Sequence, residues 1–134
     1  MALNGSCLCG TVRYEIDQLD TPIGHCHCTT CRKAHAAAFA STARVTRSHF
    51  RWRGGQDALG AFESSPGRFR RFCARCGSQI LAERLEDPHI VLRVATLDDD
   101  PGVRPVVHIF IADAAPWLDE GDDLPRYLTW PPGR

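Results

Sequence analysis

The chain lacks any apolar run near the roughly 18 residues that a bilayer-spanning helix needs, which excludes that class of membrane protein. Its opening residues, Met1-Ala2-Leu3-Asn4-Gly5-Ser6-Cys7, have neither the basic flank nor the apolar stretch of a secretory signal. A reducing, cytoplasmic setting is therefore expected. It also lacks any surplus of charge, since 16 Lys and Arg balance 16 Asp and Glu. Most nucleic-acid-binding domains are strongly basic, so a nucleic-acid partner is not expected, although Arg44, Arg47, Arg51, Arg53, Arg68, Arg70, Arg71 and Arg75 lie near aromatic residues able to stack bases. Thiolates bound to metal would make the protein net negative and weaken that reading further. No internal repeat beyond the cysteine pairs, no low-complexity block and no linker interrupts the 134 residues. One domain spanning 1–134 is expected, with Pro131-Pro132-Gly133-Arg134 as a loose end. The acidic runs 98–100 and 119–123 do not have the spacing of a calcium loop and read as solvated loops.

What the chain has in quantity is cysteine, seven in all. An odd count without an export signal argues against a disulfide framework and for thiolate metal ligands. The spacing agrees: Cys7-x-Cys9, Cys26-x-Cys28-x-x-Cys31 and Cys73-x-x-Cys76 each place sulfurs within a few residues of one another. Such soft donors suit zinc, which takes four of them in a tetrahedron at about 2.3 Å. Gly10 follows Cys9 and Gly77 follows Cys76, so both pairs can form tight knuckles in which the chain takes positive φ. A knuckle supplies two ligands, so a closed site needs Cys7 and Cys9 to meet Cys73 and Cys76 across the fold. The remaining Cys26, Cys28 and Cys31 make a second site with an open fourth position, the arrangement of catalytic rather than structural zinc. Two zinc ions per chain are expected.

Cys31 is followed by Arg32-Lys33-Ala34-His35-Ala36-Ala37-Ala38-Phe39, good helix formers that predict a short helical turn. Thiolates at the start of such a turn have lowered pKa values, with Arg32 and Lys33 as the nearby cations. Strands are predicted where the pattern alternates or runs apolar, at 11–16, 90–94 and 106–111.

The chain resembles the glutathione-dependent formaldehyde-activating enzymes, whose domain is shared with centromere protein V. The motifs that carry the resemblance run in order from Gly5-Ser6-Cys7-Leu8-Cys9-Gly10 through Cys26-His27-Cys28-Thr29-Thr30-Cys31-Arg32-Lys33. They continue through Trp52, Gly54-Gly55 and Ser64-Ser65-Pro66-Gly67 to Arg70-Arg71-Phe72-Cys73-Ala74-Arg75-Cys76-Gly77, and end with His108-Ile109-Phe110-Ile111, Ala115-Pro116-Trp117 and Leu124-Pro125-Arg126-Tyr127. The resemblance implies a mainly β fold of zinc-stapled, coiled antiparallel sheets with one or two short helical turns. It implies a structural zinc on Cys7, Cys9, Cys73 and Cys76 and a second zinc on Cys26, Cys28 and Cys31. The implied activity is that of a carbon–sulfur lyase acting on an adduct of formaldehyde with glutathione. The alternative is a zinc-stabilised binding module without catalysis. Because glutathione carries two carboxylates, basic residues are needed, and the candidates are Arg32, Lys33 and Arg70.

One departure from the family pattern stands at Ala36, where glycine is common; if that position takes positive φ, alanine strains the turn. Cys28-x-x-Cys31 is also a dithiol spacing open to oxidation. His25 and His27 flank the cysteines as groups able to ligate, to carry protons or simply to hydrogen-bond the backbone. His108 reads as a residue of a strand, and Trp52, Phe72 and Trp117 as core or lid aromatics.

Overall fold

Thr11 to Ile16 alternates because one side of the segment faces a core, and its last four residues are a strand in the computed structural model, which describes residues 2–119 and 121–133. Strand β1 (Leu3–Ser6) pairs antiparallel with β2 (Arg13–Ile16), and β2 pairs with β5 (Phe50–Gly54) in a three-stranded sheet. The remaining strands are β3 (Ile23–Cys26), β4 (Ala40–Thr46), β6 (Leu59–Ser65), β7 (Arg68–Cys73), β8 (Gln79–Arg84), β9 (His89–Arg93) and β10 (Pro105–Ile109). They form a seven-stranded sheet in the order β10-β3-β4-β9-β8-β7-β6. All its pairings are antiparallel except β10 on β3, which is parallel and departs from the all-antiparallel expectation. A parallel pair needs a long crossover, and most of the sheet lies between these two strands in the chain. Among the described residues no helix is long and apolar enough to cross a membrane.

The core gathers residues from both sheets, with Val12, Tyr14, Ile16, Val45, Ile80 and Leu92 fully enclosed. Tyr14 stacks on Phe50 at 5.3 Å between ring centres, and its hydroxyl meets the Thr96 hydroxyl at 2.6 Å. Gly5 sits opposite Tyr14 in the β1–β2 ladder, where the ring occupies the space a side chain would need. Trp52 packs against this core, whereas Trp117 is 70% exposed and so is not a core residue. The acidic run 98–100 does more than face solvent: Asp99 accepts from the Asn4 amide at 2.7 Å and Asp98 from the Ser6 hydroxyl at 2.8 Å, tying β1 to the following loop. The second acidic run includes Glu120 and the expected loose end includes Arg134, and both residues lie outside the described residues.

The single α-helix among the described residues, α1 (Thr29–His35), begins two residues before Cys31 because the Cys28 side chain serves as its N-cap, accepting from the Cys31 amide. Arg32, Lys33 and His35 therefore fall in the last turn, where the charges of Arg32 and Lys33 complement the helix C-terminus rather than the thiolates at its start. Ala36 ends the helix in the left-handed region at φ 49°. The position does require the conformation that glycine adopts freely, and alanine bears the strain.

Two substitutions test this packing. Gly5→Ala drives a methyl into the buried Tyr14 ring, against its Cζ and hydroxyl, and should lower stability by about 2–3 kcal/mol in urea unfolding. Ala36→Gly relieves the left-handed strain and should raise stability by about 1 kcal/mol, read as a higher denaturation midpoint at unchanged slope.

Candidate metal centre

The β1–β2 turn and the β7–β8 turn meet at one corner of the molecule. Cys7 and Cys9 come from the first, Cys73 and Cys76 from the second, and their sulfurs all lie within 4.8 Å of one another. Both turns close the same way. The Gly10 amide donates to the Cys7 carbonyl at 3.0 Å and the Gly77 amide to the Cys73 carbonyl at 2.7 Å, with φ of 80° and 84° at the two glycines. The turns are also joined to each other, since Ser78 Oγ accepts from the Leu8 amide at 2.9 Å and contacts the Cys76 sulfur at 3.3 Å.

Electrostatics divides these thiols. Hydrogen bonds from the Ser78 side chain and backbone bring Cys76 down to about 5, and contacts with Thr11 lower Cys9. Burial pushes Cys73 up to about 11. The donor set fits a tetrahedral ion. A tetrahedron with about 2.3 Å from metal to sulfur has sulfur–sulfur edges of about 3.8 Å. The Cys7–Cys9 and Cys9–Cys73 separations are 3.6 and 3.8 Å.

The second cluster comes from one short stretch. Cys26 ends β3, Cys28 caps α1, and Cys31 lies buried in the helix's first turn, again with all sulfurs within 4.8 Å. Burial drives Cys26 up to about 12. Burial also opposes ionisation of Cys28, but hydrogen bonds from the Cys31 amide and the positive charge of Arg70 outweigh it, so this thiol is lowered. The cation that acts on it comes from β7 rather than from the helix. Three sulfurs leave a four-coordinate ion one further position, and a cavity of about 680 Å³ borders all three.

Of the basic residues singled out in the sequence, Arg70 lines this cavity. Lys33 instead borders an adjoining hollow of about 420 Å³, beside Phe62 and Phe72, which Arg70 also reaches. Arg32 lines neither. Arg68 and Arg93 line the main cavity too, and Arg93 was not among the candidates. Its signal was a charged residue in the apolar run Ile90-Val91-Leu92-Arg93-Val94. Arg93 is 4% exposed and Arg70 6%. Burial brings the Arg93 guanidinium down to about 10, so it stays cationic at neutral pH. Burial, followed by the charges of Arg93 and Arg70, pulls His35 down to about 4 and keeps it neutral.

The histidines form a separate layer. His27 Nε2 lies 2.9 Å from His108 Nδ1, and His25 Nδ1 lies 3.0 Å from Ser41 Oγ. Phe39 packs against both rings of the Cys26 flank, 4.2 Å from His25 and 5.0 Å from His27 between centres. His108 is thus a strand residue hydrogen-bonded to a histidine next to two cysteines, which orients the backbone of the cluster from behind.

Comparison with known proteins agrees with this geometry. A Halomonas elongata protein named as a glutathione-dependent formaldehyde-activating enzyme is 28% identical over 133 aligned positions, covering 89% of this chain and 81% of its own. The crystal structure of a Rhodobacter sphaeroides protein superposes with a TM-score of 0.63 at 26% identity, covering 78% of this chain and 98% of that one. The family profile described as glutathione-dependent formaldehyde-activating enzyme matches residues 2–113. With the match extending over most of the chain and through both cysteine clusters, the chain belongs to the glutathione-dependent formaldehyde-activating enzyme family.

Proposed function

We propose that this chain is a carbon–sulfur lyase that makes or cleaves the adduct of glutathione with formaldehyde, S-hydroxymethylglutathione. The observation that carries this reading is the convergence of Cys26, Cys28 and Cys31 on a cavity lined by arginines, in a chain of this family. Cys7, Cys9, Cys73 and Cys76 would hold a structural zinc, and Cys26, Cys28 and Cys31 a second one. Zinc bound by three thiolates supplies a Lewis-acid position that lowers the pKa of an incoming thiol.

The protein's own residues set up the rest. The Cys31 amide and Arg70 favour the charged form of Cys28 against its burial, and hydrogen bonding by the backbone fixes where its sulfur points. Val107 and Ile109 of β10 and the neighbouring Phe110 form an apolar wall on one side of the cavity, which limits water around the reacting carbon. Arg68, Arg70 and Arg93 on the opposite strands offset the negative charge that thiolates and a carboxylate-bearing thiol bring. In the synthetic direction the sulfur of glutathione bonds to the formaldehyde carbon, the thiol gives up its proton, and the carbonyl oxygen gains one. No oxidant or reductant enters.

Cys28→Ser tests the assignment. Zinc measured by elemental analysis should fall from two ions per chain toward one, and turnover of the glutathione–formaldehyde adduct should be lost while the circular dichroism spectrum stays native. Full turnover in this variant would refute the mechanism. Cys76→Ser should behave differently, since metal binding at a closed site contributes directly to folding. It should lower the thermal midpoint by about 10 °C or more, consistent with the loss of several kcal/mol from a chain of this size.

A further inference from the structure

Residues paired across a ladder share a face of the sheet, as do residues two apart on one strand. In the seven-stranded sheet the register aligns Arg44, Val91, Ala82, Arg70 and Phe62 in one row across β4, β9, β8, β7 and β6. In the next row on the same face Arg93 pairs with Thr42, Thr42 with Gly24, and Cys26 follows two residues after Gly24. Cys26, Arg44, Arg68, Arg70 and Arg93 all border the cavity that lies over this face. No aspartate or glutamate lines that cavity among the described residues.

Elsewhere in the molecule arginines are matched with acids. Arg51 and Arg53 meet Glu15 at 2.7 Å, and Arg47 and Arg71 meet Glu83 at 2.7 and 2.8 Å. In the cavity the opposite holds. Nε and Nη1 of Arg70 and Nε and Nη2 of Arg93 are buried without a hydrogen-bond partner. Native structures rarely leave buried donors in that state, and a guanidinium fork is shaped to take both oxygens of a carboxylate. Three thiolates with one divalent ion carry a single net negative charge, so Arg68, Arg70 and Arg93 leave a surplus of roughly two positive charges.

We propose that Arg93 and Arg70, supported by Arg68, form a carboxylate-binding site beside the three-cysteine cluster, so that the cavity selects thiols bearing a carboxylate over thiols without one. The inference rests on the thiol-substrate reading above and adds Arg93, which the sequence did not assign, to Arg70, which it did. Arg93 acts here as a specificity-determining residue. The unpartnered donors of its guanidinium are for an anionic group of the substrate, while its charge also bears on Cys31 and Cys26.

S-methylglutathione keeps both carboxylates but has no free thiol, so its binding reports carboxylate recognition apart from metal ligation; cysteamine has the thiol and no carboxylate. Calorimetric titration of the zinc-loaded protein with each probe separates the two roles. Arg93→Gln should weaken S-methylglutathione binding by about tenfold or more, as expected for loss of a charge-assisted contact, while zinc content and cysteamine affinity hold. Arg93→Lys keeps the charge but loses the fork and should fall between the two proteins, which preserves the test if the glutamine variant does not fold. Unchanged S-methylglutathione affinity in both variants would overturn the proposal. So would a loss that tracks zinc release, because Arg93 would then serve the thiolates. Turnover assayed separately on the unsubstituted protein keeps the two readings apart: Arg93-dependent binding without turnover removes the lyase and leaves the carboxylate site standing, and turnover with Arg93-independent binding removes the site alone.

Discussion

Sulfurs far apart in the chain must be brought into near contact, and the two sheets are arranged to meet that demand. Cys9 and Cys73 stand 64 residues apart, yet their sulfurs are separated by 3.8 Å. Because one belongs to the turn of the small sheet and the other to the turn of the large one, their meeting fixes how the sheets lie on each other. Tyr14, Ile16, Val45 and Leu92 then fill the space between. The same corner holds thiols pulled in opposite directions, Cys76 toward ionisation by Ser78 and Cys73 away from it by burial. A divalent cation held there would reconcile them, since coordination favours the thiolate at every position.

Charge is partitioned with similar consequence. On the outer surfaces guanidiniums stand next to carboxylates, and such exposed pairs contribute little to stability. Around the cavity the guanidiniums share the lining with three cysteines and, among the described residues, with no acid. Several arginines that read in sequence as two basic stretches thus have different partners: Arg47, Arg51, Arg53 and Arg71 pair with Glu15 or Glu83, while Arg68 and Arg70 border the cavity.

The cysteine grouping was legible because ligand spacing is a local property and the odd count left one natural division, four and three. Strands at 11–16, 90–94 and 106–111 were legible from periodicity, and the strain at Ala36 from a departure in a familiar pattern. Other features depended on pairing between distant segments, which no local pattern encodes. The parallel β10–β3 ladder was of this kind. So was Arg93, whose pairing with Thr42 on β4 puts it on the face that borders the cysteine cavity. The helix start was misplaced because a cysteine took the capping role usually filled by serine, threonine or aspartate, and that moved Arg32 and Lys33 to the far end.

The parallel pairing bears on how the protein is made. During synthesis the segment 26–31 emerges with all its sulfurs together, so a metal can be captured there while most of the sheet is still absent. The four-sulfur corner has to wait for Cys76. The wall formed by Val107 and Ile109 comes later still, when β10 returns to lie along β3 with Ile109 beside Cys26. The three-cysteine cluster is thus the first that a metal could reach on the ribosome, and the strand that borders its cavity is the last to arrive.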